Sequence, residues 1–159
     1  MDRRLTLLLL PLAACACATG SAAPQAAAAP AGPSPAETVA ARQAAFNLTA
    51  ATFGGMKPAL ESGGDVKGLS FGARGIARWA AALPTMFPAG SDLPTDRARP
   101  EIWLNKADFD LKAAAFTAAA TALADAAQAN DKAAAASAYG ALGKTCGGCH
   151  DPYRAEAPR

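Results

Sequence analysis

Val39, Phe46, Phe53 and Leu60 stand seven residues apart, and most positions between them are small or polar. A large apolar side chain at every seventh residue draws one narrow stripe along a helix, and that stripe has to be covered by other helices. A strand cannot use this period, because its side chains alternate from face to face every two residues. Phe109, Phe116 and Leu123 repeat the spacing further along the chain. The background is rich in alanine and poor in β-branched residues, which favours helix on intrinsic grounds. The expected fold class is therefore all-α.

The helix boundaries follow from local chemistry. Ser34-Pro35-Ala36-Glu37 opens the first helix with an N-cap serine, a proline at the first helical position and a glutamate placed for a capping box. Pro58 kinks or ends that helix, and Gly63-Gly64 makes the turn after it. A second helix is predicted from about Asp65 to Leu83, where Val66, Leu69, Ala73, Ile76, Ala80 and Leu83 alternate by three and four. Gly68, Gly72 and Gly75 lower its propensity; they either admit a close neighbour or are simply tolerated. A crossing from Pro84 to about Asn105 follows, with Pro84, Pro88, Pro94, Pro100 and the run Ile102-Trp103-Leu104. Connections this long are usually functional or packed over something. The third helix stops near Asn130-Asp131. The fourth starts at Lys132 and gathers Ala135, Tyr139, Leu142, Cys146, Cys149 and Tyr153 on one face. Two short links and one long crossing describe an antiparallel four-helix bundle.

The last helix ends in Cys146-Gly147-Gly148-Cys149-His150. Cys-x-x-Cys-His is the attachment signature of haem c. Two thiols three residues apart on a helix reach the two vinyl groups of one porphyrin, and the next residue directs its imidazole at the iron. His150 is the chain's single histidine, so it is the one candidate nitrogen ligand. A redox dithiol would sit at a helix N-terminus after a strand, where the dipole lowers a thiol pKa, and no strand run precedes this motif. A structural zinc needs four ligands, and only three cluster here. One covalent haem c is expected.

The start of the chain predicts where it works. Asp2-Arg3-Arg4 and the run from Leu5 to Leu12 form a basic n-region and a short apolar h-region, a secretory signal over residues 1–14 rather than a membrane span. Leu12-Ala13-Ala14-Cys15 resembles a lipoprotein box with cleavage before Cys15 and lipid on its sulfur; ordinary cleavage between about Ala18 and Ala23 would instead release the protein. Lipid on Cys15 would hold the domain at a membrane surface without a spanning helix. Residues 15–33 are dominated by alanine, proline, glycine and serine and read as a flexible tether, leaving residues 34–159 as one domain. Removing Asp2, Arg3 and Arg4 from 15 basic and 13 acidic residues leaves 13 against 12. That balance does not suggest nucleic acid. Export beyond the inner membrane, to the periplasm, agrees with haem c, which is attached outside the cytoplasm.

Taken together, Arg42-Gln43, Ala82-Leu83-Pro84, Arg99-Pro100-Glu101-Ile102-Trp103 and Cys146-Gly147-Gly148-Cys149-His150-Asp151-Pro152-Tyr153-Arg154 resemble the cytochrome c′ family. The resemblance spans nearly all of residues 35–156. It implies a four-helix bundle with haem c near the end of the last helix, unlike ordinary soluble cytochromes c, whose motif lies near the N-terminus. It places Arg42 and Gln43 beside the haem propionates, Arg99 and Glu101 at the haem edge, and Arg154 on the proximal side. Arg154 also shares a helical face with His150, four residues earlier. Trp79 and Trp103 read as packing residues.

In the family and its six-coordinate relatives, the residue four after the first-helix arginine lies over the open haem face. A methionine there ligates iron and an apolar residue leaves it five-coordinate. Here that residue is Phe46, which either guards the distal face or simply packs, or does both. Met56 lies ten residues beyond it, about 15 Å along a helix rising ~1.5 Å per residue, too far to reach the iron. Met86, in the crossing, stays open as a second ligand, which would make the chain a six-coordinate electron carrier. The expected function is binding of small diatomic gases, nitric oxide and carbon monoxide, and electron transfer to redox partner proteins. No nucleophile with a partnered base argues for an enzyme. The family commonly pairs through its first two helices, and Gly54, Gly55, Gly68 and Gly72 would allow close contact in a homodimer.

Overall fold

The computed structural model describes residues 32–156. The predicted signal over residues 1–14, Cys15 and most of the predicted tether lie outside the described residues. Four long helices carry the fold: α1 (Pro35–Glu61), α2 (Leu69–Ala82), α4 (Lys106–Gln128) and α5 (Lys132–Tyr153), with a short α3 (Glu101–Leu104) in the crossing. The expected all-α four-helix bundle is what the chain forms. Among the described residues the only extended pairing is a single antiparallel bridge between Ala98 and Arg154.

α1 begins as its sequence dictates. The Ser34 side chain accepts from the Glu37 amide, and Glu37 reaches back to the Ser34 amide at 2.7 Å, so the capping box is complete. Pro58 does not end the helix, which runs on to Glu61. A proline there removes one amide donor, but the helix closes three residues later with the Ser62 amide on the Pro58 carbonyl at 3.0 Å.

The second helix starts later than its periodicity predicts. The Asp65 carboxylate accepts from the Lys67 amide at 2.7 Å, and the Leu69 amide bonds back to Val66. This local bonding turns residues 65–68 before α2 can begin. At the other end α2 tightens into a 3-10 turn over Leu83–Met86. Of the glycines singled out above, only Gly72 marks a close approach: a Cβ there would lie 2.9 Å from both Met56 and Thr52 of α1. Gly68 and Gly75 face open space. Gly72 is thus spent on the α1–α2 contact inside one chain.

The two short links lie together at one end of the bundle. Asn130, in a left-handed conformation that asparagine tolerates, accepts from the Val66 amide, while Lys132 donates to the Gly63 carbonyl. The crossing, the first half of α1 and the last turns of α5 occupy the opposite end. α4 packs along both α2 and α5. One apolar cluster, from Met56 and Ile76 to Leu123 and Leu142, fills the bundle toward the linked end; a second, from Leu83 and Phe87 to Phe109 and Tyr153, fills it under the crossing. The haem motif sits beside this second cluster, with Cys149 packed against it.

Candidate functional site

Between α1, α4, α5 and the crossing lies a cavity of about 540 Å³, in the ~300–1,000 Å³ range of cofactor sites. Cys146, Cys149 and His150 all line it, together with Phe46, Arg42 and Gln43. Its walls are mainly apolar, with Phe87, Ile102, Phe109 and Leu142 among them. Most of the residues that the sequence nominates from opposite ends of the chain therefore meet around one space.

Both cysteines of the motif are free and half-buried. Burial pushes the Cys146 thiol up, and the Cys149 thiol is raised mainly for the same reason. Burial also lowers the His150 pKa, and the guanidinium groups of Arg154 and Arg97 lower it further. A neutral imidazole is what a metal ligand must be. Arg154 Nη1 lies 3.5 Å from His150 Nδ1, so the arginine stands beside the ring as the helical spacing predicts.

Phe46 approaches His150 across the cavity, with ring centroids 6.5 Å apart and planes at 71°. Trp79 packs edge-on against Phe46 at 5.4 Å, and its buried Nε1 finds no hydrogen-bond partner among the described residues. Trp103 is tied down, donating to the carbonyls of Phe87 and Pro88 at 3.1 Å. Neither methionine considered as a second ligand lines the cavity. Met56 is buried in the core against Gly72. Met86 packs in the cluster under the crossing, where its carbonyl accepts from Arg42.

Arg42 is the largest fully buried side chain of the described residues, at 1% exposure. Its guanidinium donates to the Met86 carbonyl at 3.0 Å, Ser91 Oγ at 2.7 Å, the Ser91 carbonyl at 2.5 Å and the Asp96 carboxylate. It also lies 4.3 Å over the Phe87 ring. A buried guanidinium must be paired on this scale to be tolerated. Burial opposes charge on Asp96, yet hydrogen bonds from Arg42, Gln43 and the Arg97 amide hold its carboxyl below the ordinary value. Arg42 and Gln43 thus border the cavity while binding the crossing to α1.

Arg99 and Glu101 fall elsewhere. Arg99 lines a shallower cleft of about 310 Å³ on the outer side of His150, with Arg97, Asp151 and Arg154. Glu101 is exposed in the first turn of α3 and lines neither space. Sequence reasoning missed Ser91, Asp96 and Lys112, which support or line the cavity, and Asp108, which accepts from Tyr153 Oη at 2.5 Å. Ser91 and Asp96 sit on the crossing, where no helical period marks a buried face, and Asp108 and Lys112 are charged residues of α4 that an apolar period does not register.

The residues present fit a c-type haem: two thiols three residues apart, an imidazole, an apolar slot and the cationic side chains of Arg97, Lys112 and Arg154 all line one cavity. The comparisons agree. The model of the family described as Cytochrome C' matches residues 37–154. The cytochrome c′ of Alcaligenes xylosoxydans xylosoxydans is 34% identical over 122 residues, covering 76% of this chain and 94% of that protein. Among solved structures, a cytochrome c′ described for an unusual ligand-controlled dimer dissociation aligns with a TM-score of 0.72 at 31% identity, covering 79% of this chain and all of that one. A nitric oxide complex of a variant cytochrome c′ from Alcaligenes xylosoxidans aligns with a TM-score of 0.70 at 32% identity, covering 77% of this chain and 97% of that one. By sequence, fold and site alike, this chain belongs to the cytochrome c′ family of haem proteins.

Proposed function

We propose that this protein carries one haem c on Cys146 and Cys149, with His150 as its single protein ligand to iron, and binds small diatomic gases on the face guarded by Phe46. The observation that carries this reading is the composition of the cavity: His150 is matched across it by a phenyl ring, and among the described residues no methionine lines it. Bound haem supplies an iron that changes oxidation state and accepts small ligands. The chain's own residues hold His150 beside Arg154, crowd the opposite face with Phe46, which Trp79 backs edge-on, and set Arg97, Lys112 and Arg154 where anionic groups would be held. A bulky apolar side chain excludes water and polar anions from the open position while admitting a diatomic molecule.

The structure with nitric oxide bound to a relative supports nitric oxide as the first ligand to test. Adding nitric oxide, and separately carbon monoxide, to the reduced haem-loaded protein is expected to shift its Soret band at micromolar gas. A Soret band that neither gas moves would remove the gas-binding reading and leave electron transfer, which the same iron would serve. The proposed role is that of a ligand binder and electron carrier, not an enzyme. The signal expected over residues 1–14 and the lipid expected on Cys15 support a periplasmic location, with the protein released or held at a membrane by lipid; among the described residues no helix is long and apolar enough to cross a membrane.

A further inference from the structure

His150 stands in a part of α5 that is weak by its own chemistry. Pro152 lies inside the last turn and has no amide to donate to the Gly148 carbonyl, so the ladder loses a bond beside the histidine. Carbonyls in a final turn also lack helical partners. The turn is nevertheless held from two sides. On one side, the crossing pairs with its end: the Arg99 amide donates to the Tyr153 carbonyl at 3.0 Å, and the Ala155 amide to the Arg97 carbonyl at 2.8 Å.

On the other side stands α4. Tyr153 is buried, sets its ring edge-on to Phe109 at 5.3 Å, and donates its hydroxyl to Asp108 at 2.5 Å. That length is typical of a hydroxyl donating to an ionised carboxylate, the stronger kind of hydrogen bond. Asp108 lies in the first turn of α4, where the helix dipole favours negative charge, and Lys112 stands 3.9 Å away. α4 packs against both neighbouring long helices, so it is the firm body to which a weak turn can be tied.

We infer that Asp108 is a positioning residue for the iron ligand: through Tyr153 it ties the last turn of α5 to α4 and so fixes how His150 meets the metal. The inference rests on haem bound through His150, as proposed above. Tyr153→Phe removes the hydrogen bond and keeps the ring on Phe109. Asp108→Ala removes it from a half-exposed site (55% for the Asp108 side chain) without touching the core. Asp108→Asn keeps an acceptor.

The test uses the reduced haem-loaded protein and three readouts: haem content by pyridine haemochrome, the iron–imidazole stretching band by resonance Raman, and amide exchange at Arg154. Tyr153→Phe and Asp108→Ala are expected to keep their haem, to shift and broaden the stretching band, and to speed exchange at Arg154 about tenfold or more, as loss of a charged hydrogen bond does. Asp108→Asn should restore most of the band, and the double variant should move no further than either single one. Should Tyr153→Phe fail to fold, Asp108→Ala reads the same bond. Haem-loaded variants with a stretching band superimposable on the wild type would overturn the inference while leaving the haem reading intact. A wild-type protein that takes no haem would instead sink the reading beneath it.

Discussion

Under the proposed function, Phe46 sets what the iron can do on the side away from His150. A phenyl ring offers no lone pair, whereas a thioether sulfur is a competent soft ligand. Phe46→Met keeps an apolar side chain of adequate length in the same cavity and adds that sulfur. The expected outcome is a change from a high-spin to a low-spin absorption spectrum, with nitric oxide affinity reduced at least tenfold because the gas must displace a ligand. A variant that stayed high-spin would mean that Phe46 does not stand over the iron. The proposed haem-binding residues were legible because their chemistry is local: two cysteines and a histidine must lie within five positions. The side chains that support them were not. Arg42 meets Ser91 and Asp96 across 49 and 54 residues, and Tyr153 meets Asp108 across 45. Nothing in the local pattern of one partner announces the other.

The long helices were legible for the same physical reason that they form. Periodicity is a property of a single helix, so α4 declares its buried face in Phe109, Phe116 and Leu123, all at 9% exposure or less. α1 is more instructive. Val39 of its seam is buried, but Phe46, Phe53 and Leu60 are only half-buried. Phe46 and Phe53 line the cavity, so part of the seam that looks like core in sequence faces a ligand space. Phe53 also stacks on Tyr139 at 4.1 Å and comes within 3.3 Å of where a Cβ on Gly143 would lie, which shows α1 and α5 meeting beside the cavity. The start of α2 was misread by four residues, because a carboxylate at Asp65 that bonds its own backbone outweighs the apolar period of Val66 and Leu69. The crossing was legible as a packed loop but not as the strap that Arg42 makes of it.

At the scale of the molecule, α1 is a thinly covered element. Of its 27 residues only Thr38, Val39, Arg42 and Met56 are buried, while Leu48 on α1 and Phe71 on α2 are exposed at 70% and 85%. Large apolar side chains left in water on two neighbouring helices mark a surface for association. A relative is described for ligand-controlled dimer dissociation; for this chain, the homodimer expected through α1 and α2 is testable at these side chains. Gly54 and Gly55 face open space there, whereas Gly72 is already occupied. Phe71→Glu should yield a monomer by analytical ultracentrifugation at concentrations where the wild type sediments as a dimer; equal sedimentation of the two would argue against this interface. The proposed function turns on one iron with one protein ligand. It is tested most directly by the absorption and resonance Raman spectra of the reduced haem-loaded protein with no ligand added. Five-coordinate, high-spin haem with an iron–imidazole band is the predicted result; a six-coordinate, low-spin spectrum with a methionine–iron absorption band would contradict it.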